Sequence, residues 1–227
     1  MIIFRPLVFG LIEYALAAYV CHNGNFERKA VAAFLFFLGT YQIGEAVILL
    51  TEFDLEGLKL AYFATSLLPP FGVYFVEKIT GRNLQSRVFA AAGVLFACLF
   101  LVQPEPLRFV EHMNCLLKVF YAGNSSVFFY SWGAYYLGTL SFAIGAIIHY
   151  MRIMKERSKQ ILLKLCLLAY LSFFPSSIIV VALLGESGGY IGSVMCAMAI
   201  VAGFVIAYAS LEFPDFKLHR GIPRLTH

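Results

Sequence analysis

Apolar runs long enough to cross a bilayer recur along this chain, with only short charged turns between them. A helix needs about 20 mostly apolar residues to cross the hydrocarbon core. Such runs fall at 6–21, 30–50, 58–75, 88–102, 132–151, 161–184 and 190–211. In lipid every backbone N–H and C=O must be satisfied inside the span, so each run is predicted to be a helix. The expected fold is therefore an all-α integral membrane protein: one domain over 1–227, built as a seven-transmembrane-helix bundle. Composition agrees, since 13% of the residues are charged, against about 25% in an ordinary soluble domain. The deficit covers the whole chain. No catalytic kinase, nuclease or binding module fits between the runs.

The turns set an orientation. Arg28 and Lys29 follow the first run, Lys78, Arg82 and Arg87 the third, and Arg152, Lys155, Arg157 and Lys159 the fifth; Lys217, Arg220 and Arg224 follow the last. The second turn is acidic, with Glu52, Asp54 and Glu56, and the sixth has no basic residue. Short loops rich in Lys and Arg stay in the cytoplasm. The N-terminus is expected outside and the C-terminus inside, in a multi-pass protein of the cell membrane, of the bacterial inner-membrane type. The first run reads as a retained span rather than a cleaved signal. Between the fourth and fifth runs, 107–121 is too apolar for a loop and too broken for a span, and predicts an amphipathic helix on the outer interface. Tyr130, Trp132, Tyr135 and Tyr136 read as an interfacial aromatic belt. Gly133, Gly138 and Gly145 are expected to let other helices approach.

Glu13, Gln42 and Glu45 fall inside apolar runs. A carboxylate at the centre of a span costs about 2.5–3.5 kcal/mol on insertion scales and faces the bundle interior. Gln42 and Glu45 are three apart and share a helix face, with Thr40 and Tyr41 beside them. Glu13 and Glu45 are expected to meet in one polar pocket open to the outer face. Two readings of Glu13, Tyr41, Gln42 and Glu45 stand: a ligand, ion or proton site, or interhelical hydrogen bonding that holds the packing. Pro69, Pro70 and Pro175 lie within runs and are expected to kink their helices, since proline removes a backbone donor. Broken helices line transporter sites, and they also occur as static kinks.

Other chemistry finds little support. There is no GxSxG, no HExxH and no histidine box, so no catalytic residue is assigned. His22, His112 and His149 have no ligand spacing, and no metal site or cofactor is expected. The five cysteines lack CxxC spacing. Cys98 and Cys115 either pair on one side of the membrane or act as small apolar residues. No basic tail suggests nucleic acid. Asn124-Ser125-Ser126 matches the glycosylation sequon.

Two stretches carry a family resemblance. LAYFATSLLPPFGVYFVEKITGR, from Leu60 to Arg82, resembles the third span of the seven-span sensor region of bacterial histidine kinases, and FVIAYASLEFPDFKLH, from Phe204, is similar to that region's last span. The resemblance implies a stand-alone or split input module, with no kinase or cyclase domain after Asp215. Tyr41-Gln42-Ile43-Gly44-Glu45, followed by Pro69-Pro70, Glu77 and Arg82, is similar to an uncharacterised multispan bacterial family with a Q-Q-x-x-E signature; Tyr41 stands where that family has its first Gln. That family implies no activity.

The leading expectation is a receptor-like or sensor-like membrane protein that binds a small ligand near Glu13, Gln42 and Glu45 and signals through its third and sixth spans. A small transporter or channel coupled to protons or cations is the alternative. A structural subunit of a membrane complex is the third. The partners expected are the lipid bilayer, a small molecule and a cytoplasmic or membrane protein.

Overall fold

The computed structural model describes residues 4–22, 26–50, 55–102, 126–184 and 191–212. Within these lie seven α-helices: α1 Phe4–His22, α2 Phe26–Leu50, α3 Leu55–Thr80, α4 Ser86–Val102, α5 Ser126–Ile153, α6 Arg157–Leu184 and α7 Ile191–Glu212. No strand occurs among the described residues. The interfacial helix expected at 107–121 lies outside them, as do Glu52 and Asp54, His112, Cys115, Asn124 and the basic tail.

Most of the helices overrun the apolar runs at their ends. Hydropathy marks the buried length of a helix, whereas backbone hydrogen bonding continues into charged residues. The basic stretch after the fifth run is thus mostly helix, and 154–156 alone connect α5 to α6. Gln160 closes that turn by donating from Nε2 to the Met154 carbonyl at 2.6 Å. Among the described residues, two helices are long and apolar enough to cross a membrane by length and composition, Arg28–Ile48 within α2 and Tyr130–Ile153 within α5. Ser86–Val102 and Ala199–Ala209 are apolar but shorter. Glu56, Lys59, Glu77 and Lys78 lie near the ends of α3 and lower its apolar length.

α3 is the central helix and packs on α2, α4, α5 and α6. α1 packs on α2 and α7, and α7 also on α6, so the chain closes around α2 and α3. Large apolar side chains are exposed on every helix but α3: Leu11 on α1, Phe36 on α2, Leu95 on α4, Phe142 on α5, Leu168 on α6 and Phe204 on α7 are examples. Glu13, Thr40, Gln42, Glu45, Ser66 and Thr139 are buried. The other charged side chains with described burial are exposed or half-buried.

Glycines set the tightest crossings. A Cβ on Gly44 of α2 would fall 2.8 Å from the Ala61 amide nitrogen and 2.9 Å from the Gly57 carbonyl oxygen, both on α3. Gly10 of α1 and Gly39 of α2 approach each other's carbonyls in the same way, at 3.1 Å. The glycines of α5 differ from expectation: among the described residues nothing lies within 4 Å of a Cβ placed on Gly133, Gly138 or Gly145. α5 meets α3 through Trp132 and Tyr135 instead.

The α3–α4 turn is built from its own side chains. Gly81 at φ 70° ends α3, donating its N–H to the Glu77 carbonyl at 2.9 Å, a left-handed C-cap that glycine adopts at least cost. The Glu77 carboxylate accepts the Leu84 and Ser86 N–H groups at 3.1 Å each, which satisfies the start of α4. Arg82 and Arg87 stay exposed at this turn.

Candidate functional site

The polar residues of α2 lie on the packed side of the helix. Leu35, Leu38, Gln42 and Glu45 recur at spacings of three, four and three, which puts them on one helix face, and all four are buried. The Tyr41 hydroxyl, one turn before Glu45, donates to Glu45 Oε1 at 2.5 Å. Thr40 Oγ1 donates to the Phe36 carbonyl at 2.8 Å, so the Tyr14 hydroxyl, 3.1 Å from it, is the donor between α1 and α2. Local hydrogen bonds of this kind satisfy hydroxyls inside a span without water.

Glu13 of α1 faces this stripe and is 1% exposed. Neither of its carboxyl oxygens has a hydrogen-bond partner among the described residues. Glu45 is near enough to act on it electrostatically. On α7, Gly203 packs closely at the same level: a Cβ there would fall 3.8 Å from Glu13 Oε1, 3.4 Å from Leu38 Cδ2 and 3.2 Å from Leu35 Cδ2. The structure thus brings Glu13, Tyr41, Gln42 and Glu45 into the packed interior of α1, α2 and α7. Glu45 is 4% exposed, so the group is closed over in this conformation.

A cavity of about 40 Å³ is lined by Leu38 of α2, Pro69 of α3, Tyr136 and Leu140 of α5, Tyr170 of α6 and Ala202 of α7. Glu13, Tyr41, Gln42 and Glu45 do not line it. Leu38 packs beside Gly203 and also lines the cavity.

Pro69 and Pro70 lie inside α3, which continues as one helix through them. In an α-helix the N–H of residue 70 would bond the carbonyl of residue 66, and proline has no N–H to give. The Tyr135 hydroxyl supplies the missing bond, donating to the Ser66 carbonyl at 2.9 Å. Trp132 Nε1 donates to Ser66 Oγ at 2.9 Å beside it. Gly93 of α4 makes room, since a Cβ there would fall 2.6 Å from the Tyr135 hydroxyl and 3.2 Å from Pro70 Cγ. On the other side of α3 the Tyr170 hydroxyl occupies the place where a Gly72 side chain would begin. Pro175 lies within α6.

Trp132 and Tyr135 therefore clasp α3 in addition to any interfacial role, while Tyr130 is exposed as a belt residue would be. Ser66, Gly93, Leu38 and Gly203 were not legible as site residues. For Ser66 the signal was present, since a proline four residues on frees its carbonyl. Cys98 is an exposed free thiol, and among the described residues no group of three or more His, Cys, Asp or Glu side chains is placed to hold a metal. No protein-family model, curated protein or solved structure matches this chain.

Proposed function

We propose that this chain is a multi-pass membrane protein, a seven-span bundle with its N-terminus outside and its C-terminus in the cytoplasm. It acts as a receptor-like or sensor-like module that takes a small cationic ligand among Glu13, Gln42 and Glu45, with Tyr41 holding Glu45. Two helices of spanning length, large apolar side chains exposed on six helices and the two carboxyls buried among apolar neighbours support the membrane setting. The bacterial inner membrane is the setting that the sensor-region resemblance implies.

The observation that carries the site is Glu13: a carboxyl 1% exposed, both oxygens without a hydrogen-bond partner among the described residues. Burying a carboxyl without a hydrogen bond costs several kcal/mol, and a second carboxylate nearby adds to that cost if both are ionised. A proton, a metal cation or an ammonium relieves both penalties. A second reading, a small transporter or channel, draws support from the cavity beside Pro69.

The test uses the full chain in lipid nanodiscs. Thermal unfolding is followed with sodium, potassium, ammonium and tetramethylammonium, and across the neutral pH range. One of these cations, or the proton, is expected to shift the midpoint in wild type and not in Glu13→Gln or Glu45→Gln. Identical responses of wild type and both variants to every cation and to pH would sink the site. Release of the protein from membranes by alkaline carbonate would sink the membrane assignment.

A further inference from the structure

We propose that the outer face of α6 holds an anionic phospholipid, its headgroup phosphate between Arg157 and Lys164 and one acyl chain along Leu168 and Leu171. The inference rests on the membrane setting proposed above and goes beyond the acidic site. From Arg157 to Ser172, five side chains of α6 are exposed: Arg157, Ile161, Lys164, Leu168 and Leu171. Their spacings of four, three, four and three place them on one helix face. The opposite face is packed, with Leu162, Leu163, Cys166 and Ala169 buried. Lys164 falls inside the sixth apolar run. Among the described residues it is the one exposed Lys, Arg, Asp or Glu more than a turn inside a helix. Charges within a span face the bundle interior, and Glu13 and Glu45 are buried in this way. Lys164 faces outward instead, toward lipid in the proposed setting.

Position and charge select the occupant. Arg157 begins α6, at the cytoplasmic surface in the proposed orientation. Lys164 lies seven residues on, about 10 Å deeper at 1.5 Å per residue. The Cα–Cβ bond of a helical residue tilts toward the helix N-terminus, so the Lys164 stem starts back toward Arg157. A lysine near a span end lays its stem on apolar surface and carries its ammonium to the interface. That brings an ammonium and a guanidinium to headgroup depth, where a phosphate accepts hydrogen bonds from both. Little acid competes for them. Glu156 is the one acid between Arg152 and Lys164, and its Oε2 lies 2.6 Å from Lys159 Nζ. α7, which packs on α6, has no charged residue from Ala199 to Leu211. Arg152 and Lys155 are exposed at the same end, and basic clusters beside a span attract the anionic lipids of the cytoplasmic leaflet. Beyond Lys164 the stripe is apolar, with Leu168 and Leu171. A zwitterionic lipid offers the same chain without net charge, so the two basic residues discriminate between them.

The experiment purifies the full chain in an uncharged detergent and adds phosphatidylglycerol or phosphatidylcholine with the same acyl chains. Native mass spectrometry counts the lipid retained. Wild type is expected to retain phosphatidylglycerol several-fold more than phosphatidylcholine, and Lys164→Gln and Arg157→Gln to lose most of that preference. Arg87→Gln removes an exposed charge from the start of α4, on the same membrane face, and is expected to keep it. Size-exclusion elution shows that each variant is folded. Glycerol phosphate, which has the headgroup chemistry without a chain, is expected to displace little of the lipid; full displacement would overturn the acyl half of the site. Equal retention of the two lipids by wild type, or an equal loss in Arg87→Gln and Lys164→Gln, overturns the proposal. Protein that gives either result and still resists alkaline carbonate leaves the membrane reading standing, and release by carbonate removes both.

Discussion

Glycines are spaced along two parts of this molecule with opposite results. On α1, α2 and α3 they are the points where helices touch: Gly10 against Gly39, Gly44 against Gly57 and Ala61, all within about one carbon's width of a neighbouring backbone. On α5, Gly133, Gly138 and Gly145 meet nothing among the described residues. α5 holds its place by long aromatic side chains, Trp132 and Tyr135 reaching to Ser66. The first part is a backbone-to-backbone packing in which the buried acids sit. The second is a side-chain clasp on the proline-broken helix. A glycine permits close approach, and a facing helix at the right height decides whether the approach happens.

The contrast can be broken by filling the glycines. The largest effect is expected from Gly44→Val, because its neighbours are backbone atoms that cannot rotate away; overpacking of this kind costs about 3 kcal/mol, seen as a fall in the unfolding midpoint in nanodiscs. If Gly44→Val unfolds with wild type, the α2–α3 crossing is not where the structure places it. Next is Gly93→Ala, which pushes on the Tyr135 hydroxyl and opens the clasp, at about 2 kcal/mol. Indole fluorescence from Trp132, the one tryptophan in the chain, should shift with it and separate loss of the clasp from general loosening.

Tyr135→Phe tests the clasp more gently. It leaves the Ser66 carbonyl without its donor, a loss of about 1–2 kcal/mol. In a double-mutant cycle it should add little to Gly93→Ala, since both act on one bond; full additivity would show that they act separately. The smallest effect is expected from Gly138→Ala and Gly145→Ala. With nothing to strike, they gain helix propensity of up to about 1 kcal/mol. A clear loss of stability there would mean that α5 has a helical neighbour, such as a second protein, on that face.

Much of the fold was legible in the chain because its cause is local. Seven apolar runs became seven helices, with ends shifted where backbone hydrogen bonding outlasts hydropathy. Glu13, Gln42 and Glu45 drew notice because their residue types are costly at those positions, and all three are buried. What was not legible concerns partners. Nothing in the sequence says that Tyr135 answers the carbonyl that Pro70 releases, or that Leu38 packs beside Gly203 and lines a cavity. Those facts depend on which helices are neighbours and at what height they cross.

The chain by itself determined that apolar helices form, where they begin and end to within a few residues, and which polar groups sit among apolar neighbours. Periodicity and composition act within one helix, and one helix is enough to read them. Tertiary structure decided which glycines are contacts, which side of α3 receives Tyr135 and which receives Tyr170, and that the acidic group does not line the cavity. Those outcomes come from helix crossings, where a shift of one residue rotates a side chain by about 100° and sends it to a different neighbour.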